Sequence, residues 1–177
     1  MNNSIFDTLN DILSGINAQE LSADSVIYDD LKDGYYLTEI EDAKLKSSSS
    51  GKPMVTIRGK IVEDGYAVTF SEDNEVYFTP LKKSKGRVIF FNFVLSDETS
   101  VKRFITNMLK FEGEEPGEPL LPKEVFMNSE TLTDALDIIV GNRIYTQVST
   151  SVKEDGTKST WNNFISWKRA KMLELPE

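Results

Sequence analysis

The clearest pattern in the chain is an alternation of apolar and polar positions in residues 55–61. One set of alternate positions is apolar or small and the other is polar or basic: Val55, Ile57, Gly59 and Ile61 against Thr56, Arg58 and Lys60. Side chains along a β-strand point alternately to the two faces of a sheet. The pattern therefore predicts a strand with one buried face and one solvent-exposed, basic face.

Four further segments have strand-like patterns: residues 35–46, 87–95, 143–152 and 157–168. Residues 87–95 are apolar on both faces, which indicates that one face is covered or serves as a binding platform. The Glu154-Asp155-Gly156 sequence is typical of a turn that joins the last two segments into a hairpin. Residues 64–86 combine short apolar stretches with glycine, proline and charged residues, which indicates a β-hairpin or a long excursion.

Three segments have the spacing of amphipathic helices. Residues 4–16 carry apolar side chains at helical spacing behind Ser4, a residue type suited to cap a helix. A second helix is predicted after Ser96, with this apolar stripe: Val101, Phe104, Ile105, Met108 and Leu109. A third, shorter helix covers residues 131–139, and the intervening residues 114–130 indicate an ordered loop or linker.

The elements follow the order strand, strand, strand, helix, strand pair. This is the order of the OB-fold, a five-stranded Greek-key β-barrel with a helix between its third and fourth strands. An SH3-like barrel or an α+β sandwich could be built from the same elements. We predict a mainly-β, α+β domain of OB-fold type over residues 33–170. An acidic N-terminal amphipathic helix and arm (residues 1–32) precedes it, and a short tail (residues 171–177) follows.

Composition limits the chemistry of which the chain is capable. The 177 residues include no cysteine and no histidine, which excludes disulfides, thiolate nucleophiles, imidazole bases and the usual zinc ligands. The sequence contains neither of the two common glycine-rich phosphate-binding patterns, Gly-x-x-x-x-Gly-Lys-Ser/Thr and Gly-x-Gly-x-x-Gly. A carboxylate-only metal site, with Asp64 and either Asp73 or Glu75 as ligands, is the remaining enzyme alternative. We expect a protein that is not an enzyme and has no metal or cofactor.

The sequence also lacks the signals of export and membrane insertion. It has no uninterrupted apolar stretch of about 18 residues, which a transmembrane helix would need. Residues 1–4 do not begin a secretory signal with basic and apolar regions. We therefore expect a soluble, cytoplasmic protein with no membrane partner.

The net charge of −9 is distributed unevenly. Residues 1–43 contain ten acidic side chains and one basic side chain, while the other 134 residues hold 19 of each sign. Residues 44–60 and residues 82–87 contain basic side chains and no acidic ones. Binding to nucleic-acid phosphates depends mainly on Lys and Arg. These two stretches are therefore candidates for a nucleic-acid surface, with solvated faces as the alternative.

Single-strand binding requires aromatic rings for base stacking beside cations for the phosphates. An OB-fold binds its ligand across strands two and three, with the loops between strands one and two and between strands four and five closing over it. The candidate site combines basic side chains with rings that could stack on bases: Lys46, Lys52, Arg58, Lys60, Lys83, Lys85, Arg87 and Lys158 with Phe90, Tyr145, Phe164 and Trp167. Burial in the core is the alternative for each ring. Trp161 remains a further candidate because either face of the last strand could be the inner one.

Several stretches resemble a family of small bacteriophage proteins that are encoded beside recombination and replication genes and regarded as single-stranded-DNA-binding. They are Asp33-Gly34-Tyr35-Tyr36 with residues 40–46, Ser50-Gly51-Lys52-Pro53-Met54, residues 85–90 with Asn92-Phe93, and Gly141-Asn142-Arg143 with Asn162 and Trp167. The resemblance spans about residues 33–168 and is one of pattern and order. It implies an OB-fold and sequence-tolerant binding of single-stranded DNA in the host cytoplasm. The acidic arm and residues 64–86 depart from the family pattern.

Two alternatives concern the partners of such a protein. The acidic arm could recruit phage or host replication and recombination proteins, or compete with DNA, or simply cover one opening of the barrel. The whole barrel could instead serve as a protein-interaction module or an inhibitor of a host protein, possibly as a DNA mimic.

Overall fold

The computed structural model describes residues 5–23 and 30–176. The chain divides into two compact units, Met1–Asp30 and Leu31–Glu177. The first unit contains helix α1 (Ile5–Ser14) and a 3-10 turn (Ala18–Glu20). Helix α1 ends just before Gly15, whose amide donates to the carbonyl of Ile12 at 3.1 Å. The predicted Ser4 cap lies outside the described residues.

The described part of the second unit contains seven strands and three α-helices. The strands are β1 (Gly34–Ser47), β2 (Pro53–Ile61), β3 (Gly65–Phe70), β4 (Val76–Leu81), β5 (Val88–Val94), β6 (Arg143–Val152) and β7 (Lys158–Ile165). The helices are α2 (Glu98–Met108), α3 (Ser129–Ile139) and α4 (Trp167–Met172), with a 3-10 turn at Lys123–Phe126. None of the helices within residues 5–23 and 30–176 has the length and apolar character needed to cross a bilayer.

All seven strands belong to one antiparallel sheet. One path runs β4-β3-β1-β2-β5, and β6 pairs with β1 and with β7. The mainly-β, α+β architecture agrees with the order predicted from the sequence. The sheet is open, however, because no backbone ladder joins β5 to β7. The β3–β4 hairpin, one of the two alternatives predicted for residues 64–86, adds two strands to the five of the predicted barrel.

Strand β1 is the centre of the sheet because it pairs along both of its edges. It pairs with β2 on one edge, with β6 on the other, and with β3 where Tyr35 lies opposite Tyr66. A β-bulge breaks the β1–β2 register, since Ile40 faces Gly59 whereas Asp42 faces Arg58.

The main core lies on the inner face of the sheet and includes side chains from α2 and α3. Its largest fully buried side chains include Tyr36, Ile40, Ile57, Ile61, Phe104, Met108, Phe111, Leu121, Leu136, Ile139 and Phe164. The alternation predicted for residues 55–61 is confirmed, since Val55, Ile57 and Ile61 are buried while Arg58 and Lys60 are exposed. Gly59 is required at its position because a Cβ atom there would lie 2.3 Å from Cγ2 of Thr38.

A second, smaller core cluster covers the opposite face of β1 and β6. It consists of Leu37, Tyr145, Ala170, Leu173 and Leu175. Leu37 and Tyr145 are cross-strand neighbours, and the other three residues come from α4 and the chain that follows it. Leu173 and Leu175, which lie in the predicted tail, are therefore packed against the sheet as part of this unit.

Two helix starts differ from the sequence prediction. Helix α2 is capped by Asp97, not Ser96, because Asp97 and Ser100 form a reciprocal capping box. The Asp97 carboxylate accepts the Ser100 amide at 2.7 Å, and Ser100 Oγ accepts the Asp97 amide at 3.1 Å. Helix α3 begins two residues before position 131, since Asn128 accepts the amide of Thr131 at 2.9 Å.

The last strand is shorter than predicted. It ends at Ile165, and Ser166 caps α4 by accepting the amide of Arg169 at 3.2 Å. Trp167 therefore lies in a helix, not in a strand.

Aromatic packing connects β5 to β7 across the open side of the sheet. The rings of Phe91 and Phe164 are stacked with centroids 4.2 Å apart, and Phe111 meets Phe164 edge-on at 5.0 Å. The side-chain amide of Asn162 donates to the carbonyl of Phe90 at 3.0 Å. The ammonium group of Lys110 donates to the carbonyl of Phe164 at 2.9 Å.

Phe164→Ala is expected to lower the free energy of unfolding by about 3–5 kcal/mol, because it opens a cavity beside three other rings. Trp161→Ala removes a larger ring from the same strand, but Trp161 is 59% exposed. It should change the stability by less than about 1 kcal/mol. Urea unfolding, monitored by far-ultraviolet circular dichroism, measures the free energy of unfolding of each variant. Equal losses in the two variants would contradict this assignment of the two faces of β7.

Candidate nucleic-acid interface

The outer face of β1, β2 and β5 presents cross-strand rows of exposed or half-buried side chains. Register fixes the rows, because residues paired across neighbouring strands lie on the same face. From the β1–β2 turn downward the rows are Lys46–Met54–Val94, Lys44–Thr56–Asn92, Asp42–Arg58–Phe90 and Glu39–Lys60–Val88. From Met54 to Lys60 this face extends about 20 Å at the usual rise per strand residue. We call it the β1–β2–β5 face.

The third row combines a cation with an aromatic ring. Arg58 lies directly opposite Phe90, whose side chain is 52% exposed although it is large and apolar. In the row above, Thr56 Oγ1 donates to Asn92 Oδ1 at 3.0 Å. Val88 and Val94 add exposed apolar surface on the same strand as Phe90. The face therefore alternates cationic, polar and apolar groups that are all accessible from one side.

Exposed ion pairs moderate the charge of this face. Arg58 Nη1 lies 3.5 Å from Glu41 Oε2, and Lys44 Nζ lies 3.3 Å from Asp42 Oδ2. Lys46, Lys52 and Lys60 form no ion pair within the described part of the chain. These three lysines leave a net positive charge at both ends of the β1–β2–β5 face.

The β1–β2 turn lies at the upper end of this face and is ordered by hydrogen bonds. The Ser48 amide donates to the Lys52 carbonyl at 2.7 Å, and the Lys52 amide donates to Ser48 Oγ at 3.1 Å. Gly51 adopts φ 79°, the left-handed conformation that this turn requires. The turn therefore holds Lys52 beside the first row.

The basic turn between β4 and β5 (residues 82–87) is anchored by one carboxylate. Asp64 Oδ1 accepts the amides of Lys85 at 2.9 Å and Ser84 at 3.0 Å. These backbone hydrogen bonds, with that of Lys85 the strongest, hold the pKa of Asp64 below its ordinary value. Buried Ser84 adds a bond to the Gly65 amide at 2.9 Å. Asp64 therefore fixes the backbone that carries Lys83, Lys85 and Arg87.

Asp64 is not grouped with the other two carboxylates named for a metal site. It precedes β3, whereas Asp73 and Glu75 lie in the turn at the other end of that six-residue strand. Such a strand separates its ends by about 20 Å. In the described residues, no three acidic side chains are grouped in a way that could hold a metal ion.

Ten of the twelve candidate residues are exposed or half-buried, and nine of these lie in strands or turns. Lys46, Arg58, Lys60 and Phe90 lie on the β1–β2–β5 face, with Lys52 in the adjoining turn. Lys83, Lys85 and the partly buried Arg87 lie in the turn that leads into β5. Lys158 is exposed at the start of β7, beside the β6–β7 turn and outside this face.

The other three candidates are aromatic and pack against the protein: Phe164 and Tyr145 are buried, and Trp167 is half-buried. Phe164 is 0% exposed because it faces the main core. Tyr145 lies on the outer face as expected but is 2% exposed, and its hydroxyl donates to the carbonyl of Pro176. Burial raises the pKa of Tyr145 to about 12. Trp167 packs edge-on against Tyr145 with a centroid distance of 5.8 Å. The stacking roles predicted for Phe164 and Tyr145 are therefore corrected to packing roles, whereas Trp167 is half-buried and lies in α4, outside the β1–β2–β5 face.

Three residues of the β1–β2–β5 face were not among the predicted candidates: Lys44, Met54 and Asn92. Trp161, which was named only as a further candidate, is the most exposed aromatic side chain of β7. A signal for Trp161 was present in the hairpin turn at Gly156. Counting pairs outward from that turn aligns Val148 with Asn162, which puts Phe164 inside and Trp161 outside.

No model of a known protein family matches the sequence, and neither does any curated protein.

Asp64→Asn is expected to destabilise the protein most at neutral pH. The folded-state pKa of Asp64 is lowered, so its contribution is complete above the unfolded-state pKa of about 3.9 and is lost as the pH falls through the folded-state value. The difference in melting temperature between wild type and variant should therefore shrink between pH 6 and pH 2. Asp73→Asn, in the exposed β3–β4 turn, is the control. A difference independent of pH would contradict this role of the carboxylate.

Proposed function

We propose that this protein binds single-stranded DNA without sequence preference on the β1–β2–β5 face. The observation that carries the proposal is the row in which Arg58 lies opposite the exposed ring of Phe90, between lysines at both ends of the face. Base stacking on an aromatic ring combined with cations for the backbone is the usual basis of sequence-tolerant single-strand binding.

The order and direction of the strands support an OB-fold type of arrangement. Strands β1, β2, β5, β6 and β7 would be its five strands, with α2 and α3 between the third and fourth and the β3–β4 hairpin as an insertion. The antiparallel pairings make β5 and β7 parallel to each other, on the two sides of the opening. In such folds the face of strands two and three binds oligonucleotides, and this corresponds to β2 and β5.

The exposed aromatic side chains favour nucleic acid as the ligand. Phe90 and Trp161 are 52% and 59% exposed, and Asn162, the neighbour of Trp161, is hydrogen-bonded to the carbonyl of Phe90. The two rings therefore flank the opening between β5 and β7. Each stacked base contributes about 1–3 kcal/mol regardless of its identity.

The acidic excess of the chain does not conflict with this proposal. It is confined to residues 1–43, and most of it belongs to the first structural unit. We further propose that this arm contacts replication or recombination proteins, and that the protein acts in a phage replication module in the host cytoplasm. The family resemblance in residues 33–168 and the charge of the arm support this part.

Phe90→Ala should weaken binding of an oligo-dT of about 30 nucleotides by about 5- to 150-fold, the loss of one stacked base. Fluorescence anisotropy of the labelled oligonucleotide measures the affinity. Phe70→Ala is the matched control, because Phe70 is 58% exposed but lies on β3, outside the β1–β2–β5 face. Its affinity should equal that of wild type.

Wild-type binding should also fall steeply with salt and prefer the single strand to the duplex. Absence of binding at low salt would refute the proposal. Binding to a DNA-binding host protein in that case would instead support the inhibitor or DNA-mimic function.

Tryptophan fluorescence provides an independent prediction. Addition of oligo-dT should quench the emission of wild-type protein, because a base stacks on exposed Trp161. Trp161→Phe should abolish most of this quenching, whereas Trp167→Phe should retain it, since Trp167 packs against Tyr145. Quenching that depends on Trp167 instead would contradict the proposed role of the opening between β5 and β7.

A further inference from the structure

A pocket of about 250 Å³ opens at the lower end of the β1–β2–β5 face. Its lining residues are Glu39, Lys60, Ile61, Val62, Lys85, Gly86 and Arg143. They come from β1, β2, the residue after β2, the β4–β5 turn and the start of β6. We call this site the β6-edge pocket. The Asp64 hydrogen bonds that order the β4–β5 turn also hold the wall that carries Lys85.

Three cations and one carboxylate line the β6-edge pocket. Lys60 and Lys85 are exposed and form no ion pair with any described residue. Arg143 donates through Nε to Glu39 Oε2 at 2.9 Å. This single bond orients the guanidinium group and leaves its two terminal nitrogens without another hydrogen bond within the described chain. The lining therefore carries a net charge of about +2 at neutral pH.

The charge and size of the pocket match a phosphate monoester. A monoester carries about −1.5 to −2 charges at pH 7, whereas each internal phosphodiester of DNA carries one. An arginine presents parallel donors that fit phosphate oxygens. A volume of 250 Å³ lies below the range of about 300–1,000 Å³ usual for drug-sized ligands, which favours a phosphate group with part of its sugar.

The position of the pocket relates it to the proposed DNA path. Its row, Glu39–Lys60–Val88 with Arg143 opposite Glu39, is the last of the four rows on the β1–β2–β5 face. Beyond Lys60, the β4–β5 turn and Val62 bound the pocket. A strand that follows the face and ends at this row would place its terminal group against this wall.

We propose that the β6-edge pocket binds the terminal phosphate monoester of a single DNA strand, with Lys60, Lys85 and Arg143 as its ligands. This rests on the proposed single-strand binding. It adds a preference for a phosphorylated end, which stacking and internal phosphate contacts do not provide.

Competition between unlabelled oligo-dT molecules and a labelled oligo-dT tests the proposal. Four competitors of equal length carry a 5′-phosphate, a 3′-phosphate, hydroxyl groups at both ends, or terminal phosphates capped as methyl esters. One of the two monoesters should compete at least about fivefold better than the hydroxyl form, equivalent to about 1 kcal/mol. The methyl esters should compete like the hydroxyl form, because a capped phosphate has only one charge.

Lys85→Gln and Arg143→Gln should each abolish this end preference. Arg143 lies at the start of β6, outside the β1–β2–β5 face, so Arg143→Gln should leave the binding of the hydroxyl form within about threefold, whereas Lys85→Gln should also weaken the binding of all four competitors. Lys52→Gln, at the opposite end of the face, is the matched control. It should weaken all four competitors equally and keep the preference. Circular dichroism verifies that each variant is folded.

Equal competition by all four oligonucleotides would refute the terminal-phosphate pocket but leave single-strand binding intact. A preference that survives in both Lys85→Gln and Arg143→Gln would also refute the pocket. Failure of every oligonucleotide to bind would refute the proposed function itself, so the two failures are distinguishable.

Discussion

The outward direction of the basic side chains depends on one extra residue in β1. Ile40 and Ala43 are both buried although they are three positions apart, an odd spacing that a regular strand cannot direct to one face. The bulge at Glu41 resolves this conflict, because it shifts the register by one residue. Without it, a strand that kept Ile40 buried would turn Ala43 to solvent and Lys44 and Lys46 to the core. Glu41 in turn lies beside Arg58, which helps to align the third row.

The open side of the sheet is stabilised by side chains where a closed barrel would use a backbone ladder. Asn162 donates to the Phe90 carbonyl, Lys110 donates to the Phe164 carbonyl, and the stacked rings of Phe91 and Phe164 fill the inside. Burial lowers the pKa of Lys110, which is the cost of using an ammonium group there. Side-chain closure leaves both strand edges near solvent. Two large rings, Phe90 and Trp161, remain exposed beside this opening, although both sequence neighbours of Phe90 are buried.

Local pattern predicted the elements well, and contacts between distant segments decided the rest. The alternation in residues 55–61 was sufficient to identify the exposed cations Arg58 and Lys60, because period two alone determines the face. Tyr145 was assigned to the correct outer face, but its burial depends on a six-residue helix that begins after Ser166. Predicting the burial of Phe164 required the register of the β6–β7 hairpin. Predicting the orientation of Arg143 required knowledge of its partner on β1, Glu39. Such pairings are not encoded in the periodicity of a single segment.

The ion pairs on the β1–β2–β5 face are compatible with a function in binding phosphates. Arg58 with Glu41, and Lys44 with Asp42, are partners whose side chains are about one-third to two-thirds exposed. Pairs of this kind contribute about 0–1 kcal/mol, since water screens them. If the proposed DNA binds on this face, its phosphates therefore replace the carboxylates at little cost. Meanwhile the carboxylates reduce repulsion among the cations of the unbound protein. The same argument holds for Arg143, where Glu39 occupies only one of the donor groups and so orients the guanidinium without saturating it.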